Sequence, residues 1–205
     1  MSDTNVVVMD QWSSVVAGLS PLHHVDKTLQ NLSSTAVQLR ENALLGHLVL
    51  RGDKSSGLGV ALERVTGLSL PDVLLSTVKG EFVIRWVSPD EWLLTLPIEQ
   101  AFTIECALRA EMTGHFAIVN VSGGQTILLL SGSQALNVLK KSTPYDVHEC
   151  NFPIGKVVTS VFAKTQALLR RCDERQWELV VRRSFADYLW LWLSEAGREY
   201  GVTLS

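Results

Sequence analysis

The chain has 205 residues, of which 46% are hydrophobic and 19% are charged, and its formal net charge is -3. High apolar content with little net charge excludes a largely disordered chain, and the lack of a basic excess argues against a nucleic-acid-binding module. The charged fraction lies below the roughly 25% of average soluble domains. Together with six tryptophans, this composition predicts apolar surface that another chain buries.

The sequence predicts a cytoplasmic protein. Its longest purely apolar stretch, Tyr188–Leu193, is far shorter than the ~20 residues that cross a bilayer. Residues 1–26 contain no Lys or Arg, which is not the pattern of a signal peptide. Cys106, Cys150 and Cys172 form an odd set without C-x-x-C spacing, so we expect reduced thiols.

Residues 1–40 differ in composition from the rest and lack a sustained hydrophobic period. They predict an N-terminal arm, extended or weakly helical, that is ordered by the surface on which it lies. A plain disordered tail is the alternative for the first 18 residues. The remaining 41–205 form the predicted body, which could contain two intertwined subdomains at about 41–115 and 116–205.

Strand-like and helix-like patterns alternate along this body. A loop is predicted at Asp53–Gly59, and Phe116–Val121 with Gln125–Leu130 gives the clearest hairpin pattern. The other predicted strands are Gly46–Arg51, Phe82–Val87, Glu91–Leu96, Lys156–Ala163, Thr165–Arg171 and Trp177–Arg183. The predicted helices are Pro97–Met112, Ser133–Lys141 and a C-terminal helix from Ser184 to Gly201. This order indicates an α+β fold, with two small antiparallel-sheet-plus-helix layers side by side.

The C-terminal helix supplies the candidate interface residues. Ser184 is the predicted N-cap, with Asp187 at the third helical position. The predicted inward stripe consists of Phe185, Tyr188, Leu189, Trp192, Leu193 and Ala196. Trp190 then lies on the outer side beside the small residues Ala186 and Gly197, as a knob that another subunit could cover. Packing of Trp190 against the chain's own N-terminal arm is an equally open alternative.

Arg182 and Arg183 precede this helix at the end of a predicted strand. Neighbouring strand residues point to opposite faces, so one of the two arginines is expected to pair with an acid across an interface if the sheet is covered.

The sequence contains no recognisable catalytic or cofactor-binding motif, neither a nucleophile elbow nor a phosphate-binding glycine loop. Adjacent His23 and His24 point apart, and His148-Glu149-Cys150 lacks a second ligand cluster. We therefore expect no catalytic, cofactor or metal residue in this chain.

Several segments, in order, resemble the gamma subunit family of heterotetrameric sarcosine oxidase. They are Leu50-Arg-Gly-Asp53, Ser88-Pro-Asp-Glu-Trp-Leu-Leu94, Val121-Ser-Gly-Gly-Gln-Thr-Ile127 with Leu130-Ser-Gly132, Ala163-Lys-Thr-Gln166, and Glu178-Leu-Val-Val-Arg-Arg-Ser-Phe-Ala-Asp-Tyr-Leu-Trp190. The similarity runs from about Ser20 to the C-terminus. Ser133 departs from the proline expected there, but either residue can begin a helix.

This resemblance implies a role inside a larger flavoenzyme. The family's complex oxidises the N-methyl group of sarcosine, giving glycine and hydrogen peroxide, and can pass the one-carbon unit to tetrahydrofolate. The resemblance places FAD, FMN, NAD, zinc and tetrahydrofolate in the alpha, beta and delta subunits. It also implies a fold related to the folate-binding aminomethyltransferases and an accessory, non-catalytic role for this chain.

Two other hypotheses remain open from the sequence. The first is a free-standing folate-binding or one-carbon transfer protein, although no Asp or Glu stands out as the carboxylate that it would need. The second is an α+β domain without such a role.

Overall fold

A computed structural model describes residues 18–25, 36–52 and 56–205. Its strands are β1 (Val37–Asn42), β2 (Leu45–Gly52), β3 (Ser76–Lys79), β4 (Phe82–Ser88), β5 (Glu91–Pro97), β6 (Phe116–Asn120), β7 (Gln125–Ser131), β8 (Val157–Phe162), β9 (Thr165–Asp173), β10 (Gln176–Arg182) and β11 (Val202–Leu204). Its α-helices are α1 (Leu58–Thr66), α2 (Ala101–Glu111), α3 (Ala135–Ser142) and α4 (Ala186–Gly197).

One sheet has six strands in the order β11-β1-β7-β10-β9-β8. Its neighbours are antiparallel except for β1 and β11, which run parallel. Helices α3 and α4 cover one face of this sheet. The hydrophobic cluster between them includes Leu128, Leu139, Trp177 and Leu193, each at most 1% exposed.

The second sheet has five antiparallel strands in the order β3-β4-β5-β2-β6. Helices α1 and α2 cover its outer face through a separate cluster that contains Leu50, Leu62, Leu94 and Leu108. Alternate residues of β2 serve different layers, because strand side chains alternate between faces. Leu48 and Leu50 face the helices, whereas Val49 packs toward the other sheet.

The two sheets face each other through a third apolar cluster, formed by Leu93, Ile127, Leu129, Val157, Leu168 and Val180. The layers therefore run helices, sheet, sheet, helices. The α+β expectation with two sheet-plus-helix layers is confirmed. Between the apolar residues lie charged side chains, whose partners are described below.

The predicted hairpin at 116–130 is wrong, although both of its strands are present. Strand β6 pairs with β2 in the five-stranded sheet, whereas β7 pairs with β1 and β10 in the six-stranded sheet. Residues 122–124 form a 3-10 turn between the sheets. Ser122 stabilises this crossing, because its Oγ accepts a hydrogen bond from the His47 amide at 3.0 Å.

The predicted cap of the C-terminal helix is also wrong. Residues 183–185 form a 3-10 turn, and α4 begins at Ala186 without a side-chain hydrogen bond at its N-cap, Phe185. Asp187 instead accepts a hydrogen bond from His24 Nε2 at 3.3 Å when that nitrogen is protonated.

Two further segments differ from the assignment that the sequence predicted. Val37–Arg40, placed in the arm, belongs to strand β1. Helix α1 begins inside the predicted loop 53–59, at Leu58, after Gly57 with φ 74°. It ends at Thr66 and is capped by Gly67, whose φ of 71° is a conformation that favours glycine. Residues 1–17 and 26–35 of the predicted arm lie outside the described residues.

Candidate functional site

Trp190, Ala186 and Gly197 face the inside of the chain, which corrects the predicted knob. Trp190 is 1% exposed and lies in the hydrophobic cluster under α4, together with Leu22 from the N-terminal region. A Cβ on Gly197 would come within 2.6 Å of Val202 Cγ2. The two small residues therefore let α4 approach its own sheet, rather than forming a groove for another subunit.

The buried side of α4 is rotated around the helix axis relative to the predicted inward stripe. Leu189 and Leu193 are buried as expected, but Phe185 and Trp192 are 41% and 38% exposed. Apolar residues cover most of the circumference of α4, so counting them does not identify the buried side. Packing determines which side of α4 is buried, because only a side with small residues lets the helix approach Val202 closely.

The outer side of α4 nevertheless carries apolar surface. Leu191 is 61% exposed, and Trp192 keeps part of its ring in solvent while its Nε1 donates to Ser142 Oγ at 3.1 Å. These two residues, which the interface prediction did not single out, are the exposed apolar side chains in the body of this helix.

Arg182 and Arg183 are both exposed. Arg182 is the last residue of β10 and stands opposite Gln125 of β7 in the antiparallel register. Arg183 opens the 3-10 turn, and its Nη1 donates to the Leu19 carbonyl at 3.3 Å. The strand ends between them, so they are not neighbouring strand residues on opposite faces of the sheet, as the sequence predicted.

A buried ionic cluster joins the two sheets. Arg85 of β4 is 0% exposed, and its Nη2 donates to Glu178 Oε2 of β10 at 2.7 Å. Arg170 Nη1 donates to the same oxygen at 2.8 Å. Burial by itself raises the pKa of the Glu178 carboxyl, but the two guanidinium groups outweigh it and hold that pKa below its usual range.

Hydroxyl groups complete this cluster. Arg85 Nη1 donates to Thr95 Oγ1 at 2.8 Å, and Arg170 Nε donates to Ser76 Oγ at 3.0 Å. Sequence reasoning missed these residues. Charged residues within otherwise apolar strands at 85, 170 and 178 were the available signal.

Two further groups in this region have strongly shifted pKa values. Burial lowers the pKa of His47 to about 4, so its ring is neutral at pH 7. Its Nε2 is buried and has no hydrogen-bond partner among the described residues. Burial also raises the pKa of the Cys172 thiol to about 12, with Glu178 adding to the effect. A thiol that stays protonated is a poor nucleophile.

The described residues contain no group of three or more His, Cys, Asp or Glu side chains that could hold a metal ion. His148 and Cys150 lie in one loop, where the Cys150 amide donates to His148 Nδ1 at 3.3 Å. Within the described part of the chain, no helix is long and apolar enough to cross a membrane.

Comparison with known proteins gives consistent matches. The profile of the "Sarcosine oxidase, gamma subunit family" matches residues 51–199. The chain is 33% identical over 187 residues to the sarcosine oxidase subunit gamma of Corynebacterium sp. (strain P-1), which covers 88% of this chain and 90% of that protein. It is 30% identical to the subunit gamma of an Arthrobacter sp., with the same coverage.

Solved structures agree with the sequence matches. A chain of the heterotetrameric sarcosine oxidase from Corynebacterium sp. U-96, in complex with pyrrole 2-carboxylate, aligns with a TM-score of 0.79 and 30% identity, over 89% of this chain and 96% of that chain. Aminomethyltransferase T of the glycine cleavage system from Bartonella henselae aligns with a TM-score of 0.61 and 13% identity, over 82% of this chain and 47% of its own. The second likeness is one of fold alone.

Proposed function

The chain belongs to the sarcosine oxidase gamma subunit family, and we propose that it serves as an accessory, non-catalytic subunit of a heterotetrameric sarcosine oxidase. The observation that carries this proposal is the alignment over 96% of a chain from such an enzyme, with a TM-score of 0.79. Its contribution is to stabilise the assembled oxidase by docking on the other subunits.

The chemistry of the polar groups supports the non-catalytic role. Glu178 is held ionised by two arginines between the sheets, so it has no proton to transfer at neutral pH. Cys172 is held protonated beside it, and the His47 ring is buried. His47 and Glu178 are thus buried, and Cys172 is partly buried.

Family membership supports a proposal for the cofactors and partners. FAD, FMN, NAD, zinc and tetrahydrofolate would be bound by the alpha, beta and delta subunits, with none held by this chain, and the assembled complex would be cytoplasmic. For the metal, the described residues offer no fitting ligand group.

Two surfaces are the candidates for contact with those subunits. Arg182 and Arg183 are exposed at one end of the six-stranded sheet. On α4, Leu191 and Trp192 replace Trp190 as the interface candidates, because they expose apolar area that Trp190 does not.

Co-expression with candidate alpha, beta and delta chains, followed by size-exclusion chromatography with flavin absorbance recorded, tests the proposal. We expect this chain to co-elute with a yellow complex that oxidises sarcosine. A colourless chain that elutes alone would contradict it. Calorimetric titration of the isolated chain with tetrahydrofolate then tests the folate-binding alternative, for which an accessory subunit should give no heat of binding.

A further inference from the structure

A cleft opens between the two sheets near the end of β10. It has a volume of about 190 Å³, and both sheets contribute to its wall. Val49 and Leu93 come from the five-stranded sheet, and Leu168 and Val180 come from the six-stranded sheet. The cleft therefore lies at the solvent-exposed edge of the apolar cluster that joins the two sheets.

The size of the cleft limits what can enter it. Pockets for drug-sized ligands usually span about 300–1,000 Å³, whereas this cleft is smaller. An apolar wall of this size suits a single aliphatic or aromatic side chain, which is the form of anchor that protein interfaces place in pockets.

Gln125 places a hydrogen-bond acceptor in the cleft that no described residue pairs with. Its side chain lines the cleft, and its Oε1 is buried without a hydrogen-bond partner among the described residues. A buried acceptor left unpaired keeps the cost of its desolvation. A backbone or side-chain N–H of an occupant would satisfy it.

The rim of the cleft is basic. Arg182 lines the cleft and two neighbouring hollows, and it makes no ion pair among the described residues. Lys164 lines one of those hollows, where it is exposed and forms no ion pair with any residue that the structure describes. Glu91, the carboxylate in the cleft wall, lies 3.5 Å from Arg51. On a protein of net charge -3, this positive surface is a local feature that favours an acidic partner.

Exposed apolar side chains continue the surface beyond Arg182. Phe185 and Val161 are 41% and 43% exposed, and both line the adjoining hollow of about 360 Å³. The surface thus combines a small apolar cleft, a buried acceptor, unpaired cations and an exposed aromatic ring.

We propose that this surface docks an extended segment of another subunit of the complex, which inserts one apolar side chain between the sheets and pairs a carboxylate with Arg182. The segment donates an N–H to Gln125 Oε1, and its neighbouring residues lie over Phe185. This inference rests on the proposed function and specifies where and by what chemistry the chain binds its partner.

Charge reversal in the co-expressed complex tests the ionic contact. We expect Arg182→Glu to lower the fraction of the chain that co-elutes with the complex on size-exclusion chromatography about tenfold or more. The fraction of wild-type chain that co-elutes should fall with added salt. The matched control is Arg175→Glu, an exposed arginine just before the opposite end of the same strand, which should co-elute like the wild type.

Filling the cleft tests the apolar anchor without changing charge. Thr159 is an exposed strand residue in the cleft wall, and tryptophan is tolerated in strands. Thr159→Trp should reduce co-elution. Gln38→Trp should not, because Gln38 is an exposed residue of β1, four strands away in the same sheet. Circular dichroism of each purified variant checks that it is folded. If Thr159→Trp is unfolded, the test of the docking surface rests on Arg182→Glu.

The outcomes separate the two proposals. If the wild-type chain fails to co-elute, the accessory role itself is wrong. If the wild type co-elutes and the folded Arg182 and Thr159 variants do so equally well, the docking surface is wrong while the accessory role stands.

A photo-crosslinking residue in place of Phe185, in the full chain within the complex, identifies the occupant. Crosslinks to an apolar and acidic segment of another subunit support the inference. Crosslinks confined to this chain's own residues or to a second copy, or no crosslink, overturn it.

Discussion

Arg85 Nη2 lies 2.7 Å from Glu178 Oε2, and this contact joins β4 of one sheet to β10 of the other. Arg170 binds the same carboxylate oxygen, so two cations share one anion in the interior. Burial lowers the pKa of Arg85, and Glu178 opposes that shift. The carboxylate therefore keeps the charged arginines compatible with an apolar layer.

Removal of this carboxylate should destabilise the fold strongly. We expect Glu178→Gln to lower the free energy of unfolding by about 3–5 kcal/mol, because two buried guanidinium groups lose their counter-charge. Urea denaturation followed by tryptophan fluorescence measures the change. The matched control is Glu111→Gln, which removes an exposed ion pair with Arg64 and should cost about 1 kcal/mol or less. Equal effects of the two variants would contradict the structural role of the cluster.

Stability should fall in mild acid because of His47. Its pKa is about 4 in the folded chain against an ordinary value of 6.5, so the unfolded chain takes up a proton that the folded chain does not. The contribution to stability is complete above pH 6.5 and is lost as the pH falls toward 4, by up to about 3 kcal/mol. His47→Gln should flatten the pH dependence of unfolding between pH 6.5 and 4.5. An unchanged slope in this variant would argue against a buried neutral ring.

The two tryptophans of α4 should differ sharply. Trp190→Ala is expected to lower the free energy of unfolding by about 3–5 kcal/mol, because it empties a fully buried site. Trp192→Ala removes a ring that is 38% exposed and one hydrogen bond to Ser142, so the loss should be smaller, about 1–2 kcal/mol. Thermal unfolding of both variants measures this difference. A stable Trp190 variant that failed only in subunit assembly would restore the original exposed-knob hypothesis.

Gly197 should resist replacement although it lies in a helix. Alanine favours helices over glycine by about 1 kcal/mol, but its Cβ would meet the stiff Val202 side chain at 2.6 Å. We expect Gly197→Ala to destabilise the chain by about 1–3 kcal/mol through overpacking, as measured by urea denaturation. Gly123→Ala is the control, since a Cβ there has nothing within 4 Å. Stabilisation by Gly197→Ala would show that α4 and β11 are less closely packed.

The three thiols should react at different rates. Cys106 and Cys150 are exposed, whereas Cys172 is partly buried with a pKa of about 12. Iodoacetamide at pH 8 should therefore modify Cys106 and Cys150 first, because the thiolate is the reactive form. Mass spectrometry of tryptic peptides follows each site, and unfolding in urea should remove the protection of Cys172. Rapid modification of Cys172 in the native chain would contradict its placement.

Local sequence patterns were sufficient to predict the class of fold and the family. Alternating strands such as Trp177–Arg183 and the ordered segments up to Trp190 gave an α+β body and the sarcosine oxidase resemblance, and both are confirmed. These features depend on residues close together in the chain, where periodicity and short motifs carry the information.

Tertiary structure decided how those elements pair and which sides they bury. Strands β6 and β7 look like a hairpin in sequence, yet they lie in different sheets because their partners are distant strands. The buried side of α4 depends on Val202, which follows the helix and packs against Gly197. The cluster of Arg85, Arg170 and Glu178 unites residues up to 93 positions apart. A sequence pattern does not specify such contacts, because they form only when two separate sheets pack face to face.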